Sequence, residues 1–290
     1  MLNLYETVKS HPEYFKQLTC KNLLFTQYDC PQLEAKAGLF SQCNYIVYVL
    51  SGKRILHKPG ISWLMTEGVS VFGKKGGWVA EKGPNDGWCV MLFFIPDNYL
   101  QQFIKEYRAS LPMSRLPAPP PEQIIALDVN DTTHSFFKSM LPYFTQPLPP
   151  PESLLELKFR ELVFNLLVNP ANAGLLAYLN SIESQDRPPL EEIMEANYMY
   201  DLSLTDFAKL AHRSLAAFKR EFKNVYHITP GKWLMQKRLD HSRLLLSTSS
   251  KPVNEVAYES GFKNTTHFNR VFKDNCTITP LQFRKQVTPA

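Results

Sequence analysis

Val253 to Lys285 reads VNEVAYESGFKNTTHFNRVFKDNCTITPLQFRK, and the spacing of its apolar residues predicts a helix-turn-helix. Val253, Val256 and Ala257 recur at helical intervals, Gly261 interrupts them, and Asn264 stands where it can N-cap a second helix striped by Phe268, Val271 and Phe272. The opposite face carries Thr265, Thr266, Asn269, Arg270 and Lys273, with His267 beside them. Short, polar and basic side chains suit base edges and phosphates in a major groove about 12 Å wide. Thr279 followed by Pro280 then starts a further helix through Phe283, a capping residue before a first-turn proline. An amphipathic helix pair in any all-α core shows comparable stripes. The turn glycine, the basic outer face and the Thr-Pro restart together favour DNA reading.

The same pattern occurs once more upstream. Phe218, Arg220, Phe222, Lys223, Ile228, Thr229 and Pro230 match Phe268, Arg270, Phe272, Lys273, Ile278, Thr279 and Pro280 at a constant offset of 50 residues. In this first unit Leu204, Phe207, Ala208 and Ala211 form the supporting helix. Ser214 caps a recognition helix with Leu215, Phe218 and Phe222 inward and Ala216, Lys219, Arg220 and Lys223 outward. Two adjacent alanines, Ala216 and Ala217, limit its polar contacts and leave apolar contact with a thymine methyl as one option. Between the units a helix from Thr229 to about Ser247 would span about 27 Å. That strut can hold two recognition helices near the ~34 Å repeat of one DNA turn.

Glu255, Ala257, Gly261, Phe262, Phe268, Arg270, Phe272, Lys273, Thr279, Pro280 and Phe283 resemble the C-terminal domains of the AraC/XylS family of bacterial transcription regulators. The resemblance implies a DNA-binding domain over 190–290, a sensor and dimerisation domain over 1–182, double-stranded DNA and RNA polymerase as partners, and a promoter-bound activator. One departure stands out. At the bend before each Thr-Pro the family usually has glycine, whereas this chain has His227 and Thr277, and a β-branched Thr277 is expected to be strained or to need another turn geometry.

Charge divides where the domains should. The 290 residues carry a net +5, but residues 201–290 hold 15 Lys and Arg against 7 Asp and Glu, leaving the remainder mildly acidic. A basic module on an acidic body fits a polyanion-binding domain with separate control. With 44% hydrophobic and 20% charged residues, the chain has ample material for two cores. No apolar run approaches the ~18 residues of a membrane span and the N-terminus lacks a signal pattern, so no membrane association and a cytosolic location are expected. Cys20, Cys30, Cys43, Cys89 and Cys276 are odd in number and contain no CxxC pair, which points away from disulfides and zinc.

Residues 20–95 read as short strands: Leu23 to Tyr28, Asn44 to Ser51, Arg54 to Lys58, Ile61 to Met65, Val69 to Gly73, Trp78 to Glu81 and Trp88 to Ile95. The expected fold class is therefore α+β, with an N-terminal cupin-like β-barrel, dimerisation helices and an all-α C-terminal domain. His57 is the barrel's lone histidine, so no metal and no cofactor are expected. Trp63, Phe72, Trp78, Trp88 and Phe93 supply aromatic surface to the core or to an apolar pocket.

Helices are expected at Pro96 to Tyr107, Glu152 to Val168 and Ala173 to Ser184, with proline-rich connectors at 117–121 and 147–151 and a polar linker, SQDRPP, before the DNA-binding part. Leu155, Phe159, Leu162, Val163 and Leu166 line one stripe of the second helix, and Leu154, Leu157 and Leu167 widen it. That stripe serves either core packing or a homodimer interface. LKFRELVFNLL and VFGKKGGWVAEKG are similar to the type III secretion activators of the family, which implies control by a protein antagonist; a small-molecule effector is the other expected input. Two rival functions are weighed. A cupin enzyme or a zinc-cysteine repair protein fused to a DNA-binding domain lacks its ligands here, so no catalysis is expected. An architectural DNA-binding protein would not need so large a barrel.

Overall fold

Alternation along one strand puts Tyr45, Val47 and Val49 on one face and Ile46 and Tyr48 on the other, and both faces are buried. Around that strand the first of two compact units is built. The computed structural model describes residues 2–29, 36–58, 61–83, 87–183 and 188–287. Contacts group the chain into Leu2–Gln185 and Asp186–Ala290.

The first unit runs β1 (Leu2–Asn3), α1 (Leu4–Ser10), β2 (Lys16–Cys20), β3 (Leu23–Asp29), β4 (Lys36–Ser41), β5 (Asn44–Lys58), β6 (Ile61–Thr66), β7 (Ser70–Gly73), β8 (Gly76–Glu81) and β9 (Trp88–Ile95). There follow α2 (Asp97–Tyr107), β10 (Ile124–Leu127), α3 (Asp131–Met140), α4 (Glu152–Val168) and α5 (Ala173–Ile182). The strands form one curled sheet ordered β1-β4-β8-β5-β9-β3-β2, with β6 and β7 also on β5 and β10 on β7. Its first half pairs β5 with β9 and β7, its second half with β6 and β8.

Two strands expected at Asn44 to Ser51 and Arg54 to Lys58 are thus a single strand. Gly52 takes φ +86 and the register shifts between Val49 and Ser51, so the chain bends without leaving the ladder. A Cβ on Gly52 would sit 1.9 Å from the Gly87 carbonyl oxygen. The concave face encloses Leu24, Tyr45, Val47, Trp78, Leu92 and Phe94. The convex face, bearing Phe25, Ile46, Phe72 and Phe93, is covered by α2 to α5.

Leu155, Phe159, Leu162, Val163 and Leu166 of α4 are all buried against this convex face. Phe159 meets Phe25 and Phe93 at ring distances of 5.5 and 6.3 Å. Of the two uses expected for this stripe, core packing is the one seen within the unit, because the strands of this sheet are apolar on both faces and need a second covering layer. The helix expected to reach Ser184 ends at Ile182, and Ser184, like Cys30 and most of the SQDRPP linker, lies outside the described residues.

The second unit is helical: α6 (Leu190–Asn197), α7 (Leu204–Leu210), α8 (Leu215–Tyr226), α9 (Pro230–Thr248), α10 (Val253–Glu259), α11 (Thr265–Cys276) and α12 (Pro280–Val287). Phe207, Phe218 and Phe222 are sealed in its first half, and Val256, Ala257, Phe268 and Phe272 in its second. The α7–α8 and α10–α11 pairs are the two helix-turn-helix motifs.

Candidate nucleic-acid interface

Local chemistry sets the start and end of each recognition helix. Ser214 Oγ accepts from the Ala217 amide at 3.2 Å, and Asn264 Oδ1 accepts from the His267 amide at 2.8 Å. At the far ends His227 and Thr277 adopt left-handed backbone, φ 57 and φ 64, and each returns its amide to the lysine carbonyl four residues back, Lys223 or Lys273. These are αL caps made without glycine. Thr277 therefore takes the strained alternative rather than a different turn.

Lys219, Arg220 and Lys223 of α8, and Asn269, Arg270 and Lys273 of α11, are exposed at equivalent positions. Ser214, Ala216 and Thr266 are exposed with them, while Thr265 and His267 are half-buried, the His267 ring lying 6.0 Å from Phe262. His267 thus shares its surface with the core. Among the described residues, none of the five cations on the two helices makes a hydrogen bond or ion pair. Other cations of the unit are paired: Arg213 binds Glu221 of α8 at 2.6 Å, Lys237 binds Glu195 at 2.5 Å and Lys251 binds Glu259 at 2.6 Å. The recognition helices therefore present a repeated pattern of uncompensated charge, as a phosphate-facing surface requires.

Residues behind this surface fix the two motifs to each other. Arg238 of α9 donates to the carbonyls of Tyr198 and Tyr200 at 2.8 and 2.7 Å, between α6 and α7. Burial lowers the guanidinium's pKa. Gly261, at φ +87 in the second motif's turn, lies so close that a Cβ would sit 2.9 Å from both Arg238 Nε and the Met199 carbonyl oxygen. Sequence reading missed this clasp, whose arginine and carbonyls stand 40 and 38 residues apart. Only the positive-φ glycine gave a local signal.

Inside the sheet of the N-terminal unit the described residues enclose little space. Trp78 and Trp88 line a cavity of about 50 Å³ with Tyr45, Leu92 and the buried Arg54, whose guanidinium lies 5.6 Å from the Trp88 ring. That is a third of the roughly 150 Å³ that admits benzene. Phe72 and Phe93 face the covering helices instead. His57 is committed to Glu81 and Ser62, at 2.7 and 2.8 Å, and no metal-holding group of side chains occurs among the described residues.

Residues 207–286 match the helix-turn-helix domain model, and residues 44–178 match the ExsA N-terminal regulatory domain model. The virulence regulon transcriptional activator VirF of Yersinia enterocolitica is 23% identical over 240 residues, covering 80% of this chain and 88% of the relative. The HTH-type transcriptional regulator ExsA of Pseudomonas aeruginosa is 24% identical over 242 residues, covering 82% and 85%. Crystalline ToxT of Vibrio cholerae is similar at 14% identity with a TM-score of 0.42, covering 93% of this chain and all of the other. The chain is a DNA-binding transcription regulator with an N-terminal regulatory domain. It joins an AraC-type helix-turn-helix domain to an ExsA-type regulatory domain, as do the AraC-family activators to which it is similar.

Proposed function

We propose that residues 190–290 read a bipartite operator, with α8 and α11 in successive major grooves and Arg220 and Arg270 as the principal base or phosphate contacts. The repeated, unpaired cations of the two capped helices carry this reading. Lys219, Lys223 and Lys273 meet phosphates; Ala216, Thr265, Thr266, His267 and Asn269 meet base edges or the backbone beside them. The 19-residue α9 spans about 28 Å, which supports a spacing near one DNA turn.

Residues 1–182 control this module. The chain acts in the cytosol as a promoter-bound activator touching RNA polymerase and catalyses no reaction. It works as a homodimer through the outer side of α4, where Leu157 is 64% exposed and Val168 is also open. A protein antagonist, which needs no preformed cavity, suits the filled barrel better than a bulky organic effector.

Selection of bound duplexes from random DNA with the full chain, followed by footprinting, tests the reading. Two protected sub-sites about one turn apart are expected for each protomer. Sequence-independent protection would overturn it.

A further inference from the structure

The two recognition helices are built alike and faced differently. From Ser214 to Tyr226 and from Asn264 to Cys276 the order of exposed, half-buried and buried positions is the same residue for residue, so each surface position on α8 has a counterpart on α11. Their charge is not the same. α8 exposes Lys219, Arg220 and Lys223, and its one carboxylate, Glu221, is held by Arg213 at 2.6 Å. On α11 the exposed cations are Arg270 and Lys273, followed by Asp274, an exposed carboxylate that makes no ion pair among the described residues. A phosphate neutralised by a cation releases a counterion and adds affinity but carries no sequence. By that measure α8 is the stronger phosphate binder.

Hydrogen-bonding groups are distributed the other way. Where α8 has Ala216 and Lys219, α11 has Thr266 and Asn269, both exposed and with side chains that make no hydrogen bond among the described residues. A carboxamide presents a donor and an acceptor side by side, which matches N6 and N7 of adenine in the major groove. Neither a methyl group nor an ammonium can make that pair. Ala216 is suited to a thymine methyl, and the cations of α8 to guanine or to phosphate, so that helix has no group that selects adenine. On α11 the amide of Asn269 stands beside the guanidinium of Arg270, which adds guanine to the bases that the same helix can tell apart.

Resting on the operator reading above, we propose that the two helices divide the work. Asn269 of α11 is the specificity-determining residue and reads one adenine, while α8 is an electrostatic anchor whose word in the operator is loosely specified.

Duplexes selected from random DNA by the full chain, then measured as single-base variants across a salt series, test this. Base preference should be concentrated in one of the two words and include an adenine. Asn269→Ala should lower the preference for that adenine about tenfold and leave the salt slope as it was. Lys219→Ala should weaken every duplex alike and lower the slope of log affinity against log salt by about 1. The exchange Ala216→Thr with Lys219→Asn should give the loose word a base preference that it lacked. Circular dichroism of each variant should match the parent, since all three positions are exposed. Two words of equal preference, or an undiminished adenine preference in Asn269→Ala, would overturn the division of work while leaving operator reading in place. Binding without any base preference would overturn both.

Discussion

Lys75 Nζ lies 2.6 Å from Asp97 Oδ2, with the two side chains only 8% and 9% exposed. Asn44, the first residue of β5, donates to the other Asp97 oxygen at 2.5 Å, so the turn between β7 and β8 and the start of β5 both meet the start of α2 at one buried carboxylate. Asp97→Ala would leave an ammonium without its counter-charge in a dry site, at a cost of about 3 to 5 kcal/mol. The pair replaced together, Lys75→Met with Asp97→Leu, should recover most of that loss. Urea unfolding of the N-terminal unit, followed by tryptophan fluorescence, distinguishes them; equal destabilisation by both variants would contradict the assignment.

The left-handed cap at Thr277 predicts a gain of stability. A β-branched side chain at φ 64 is held there by the surrounding fold, and glycine adopts the same backbone freely. Thr277→Gly should stabilise the C-terminal unit by about 1 kcal/mol, less what its hydroxyl contributes through the Cys276 carbonyl. Calorimetry should show the higher midpoint without loss of operator affinity. A lower midpoint would mean that the threonine's local hydrogen bond outweighs its strain.

Cations on equivalent turns should separate into two classes by their salt response. Arg220→Ala and Arg270→Ala are each expected to cost about 1 to 3 kcal/mol where the guanidinium meets a base edge. Lys223→Ala or Lys273→Ala should instead lower the slope of log affinity against log salt by about 1. Fluorescence anisotropy across a salt series measures both. Normal binding by the Arg220→Ala, Arg270→Ala double variant would remove these helices from the interface.

On α4 the burial pattern reverses what a single substitution should report. Leu162 is wholly enclosed, so Leu162→Asp places a carboxylate in the apolar core between sheet and helices and should unfold the unit rather than merely separate protomers. Leu157→Glu, on the exposed side, should leave the fold intact and weaken self-association. Sedimentation velocity with circular dichroism reads both outcomes. A folded monomer from Leu162→Asp would restore the buried stripe to an interface.

The recognition helices were legible because each depends on neighbours in sequence: an N-cap, a stripe of period 3.6 and a Thr-Pro restart. Register in the sheet was less so. Gly52 looks like a turn signal when read locally, yet across the sheet it stands opposite Trp88 and keeps β5 continuous. Short elements with mixed patterning, such as β2, β4 and β10, take their definition from pairing with distant strands. The function of the α4 stripe turned on which other apolar face existed to receive it. Arg238 had no local signature at all, since its acceptors are backbone carbonyls on another part of the chain.

The clasp of Arg238 and Gly261 also constrains the promoter. With the two reading heads bolted to a common frame, the spacing between their target words is fixed in the protein and has to be met by the DNA. One extra base pair between the words turns the second by roughly a tenth of a helical turn, and the duplex must absorb that by twisting or bending. Operators for this regulator should thus tolerate letter changes inside each word more readily than any change in the gap between them, and the sequence of the untouched gap should matter through its stiffness.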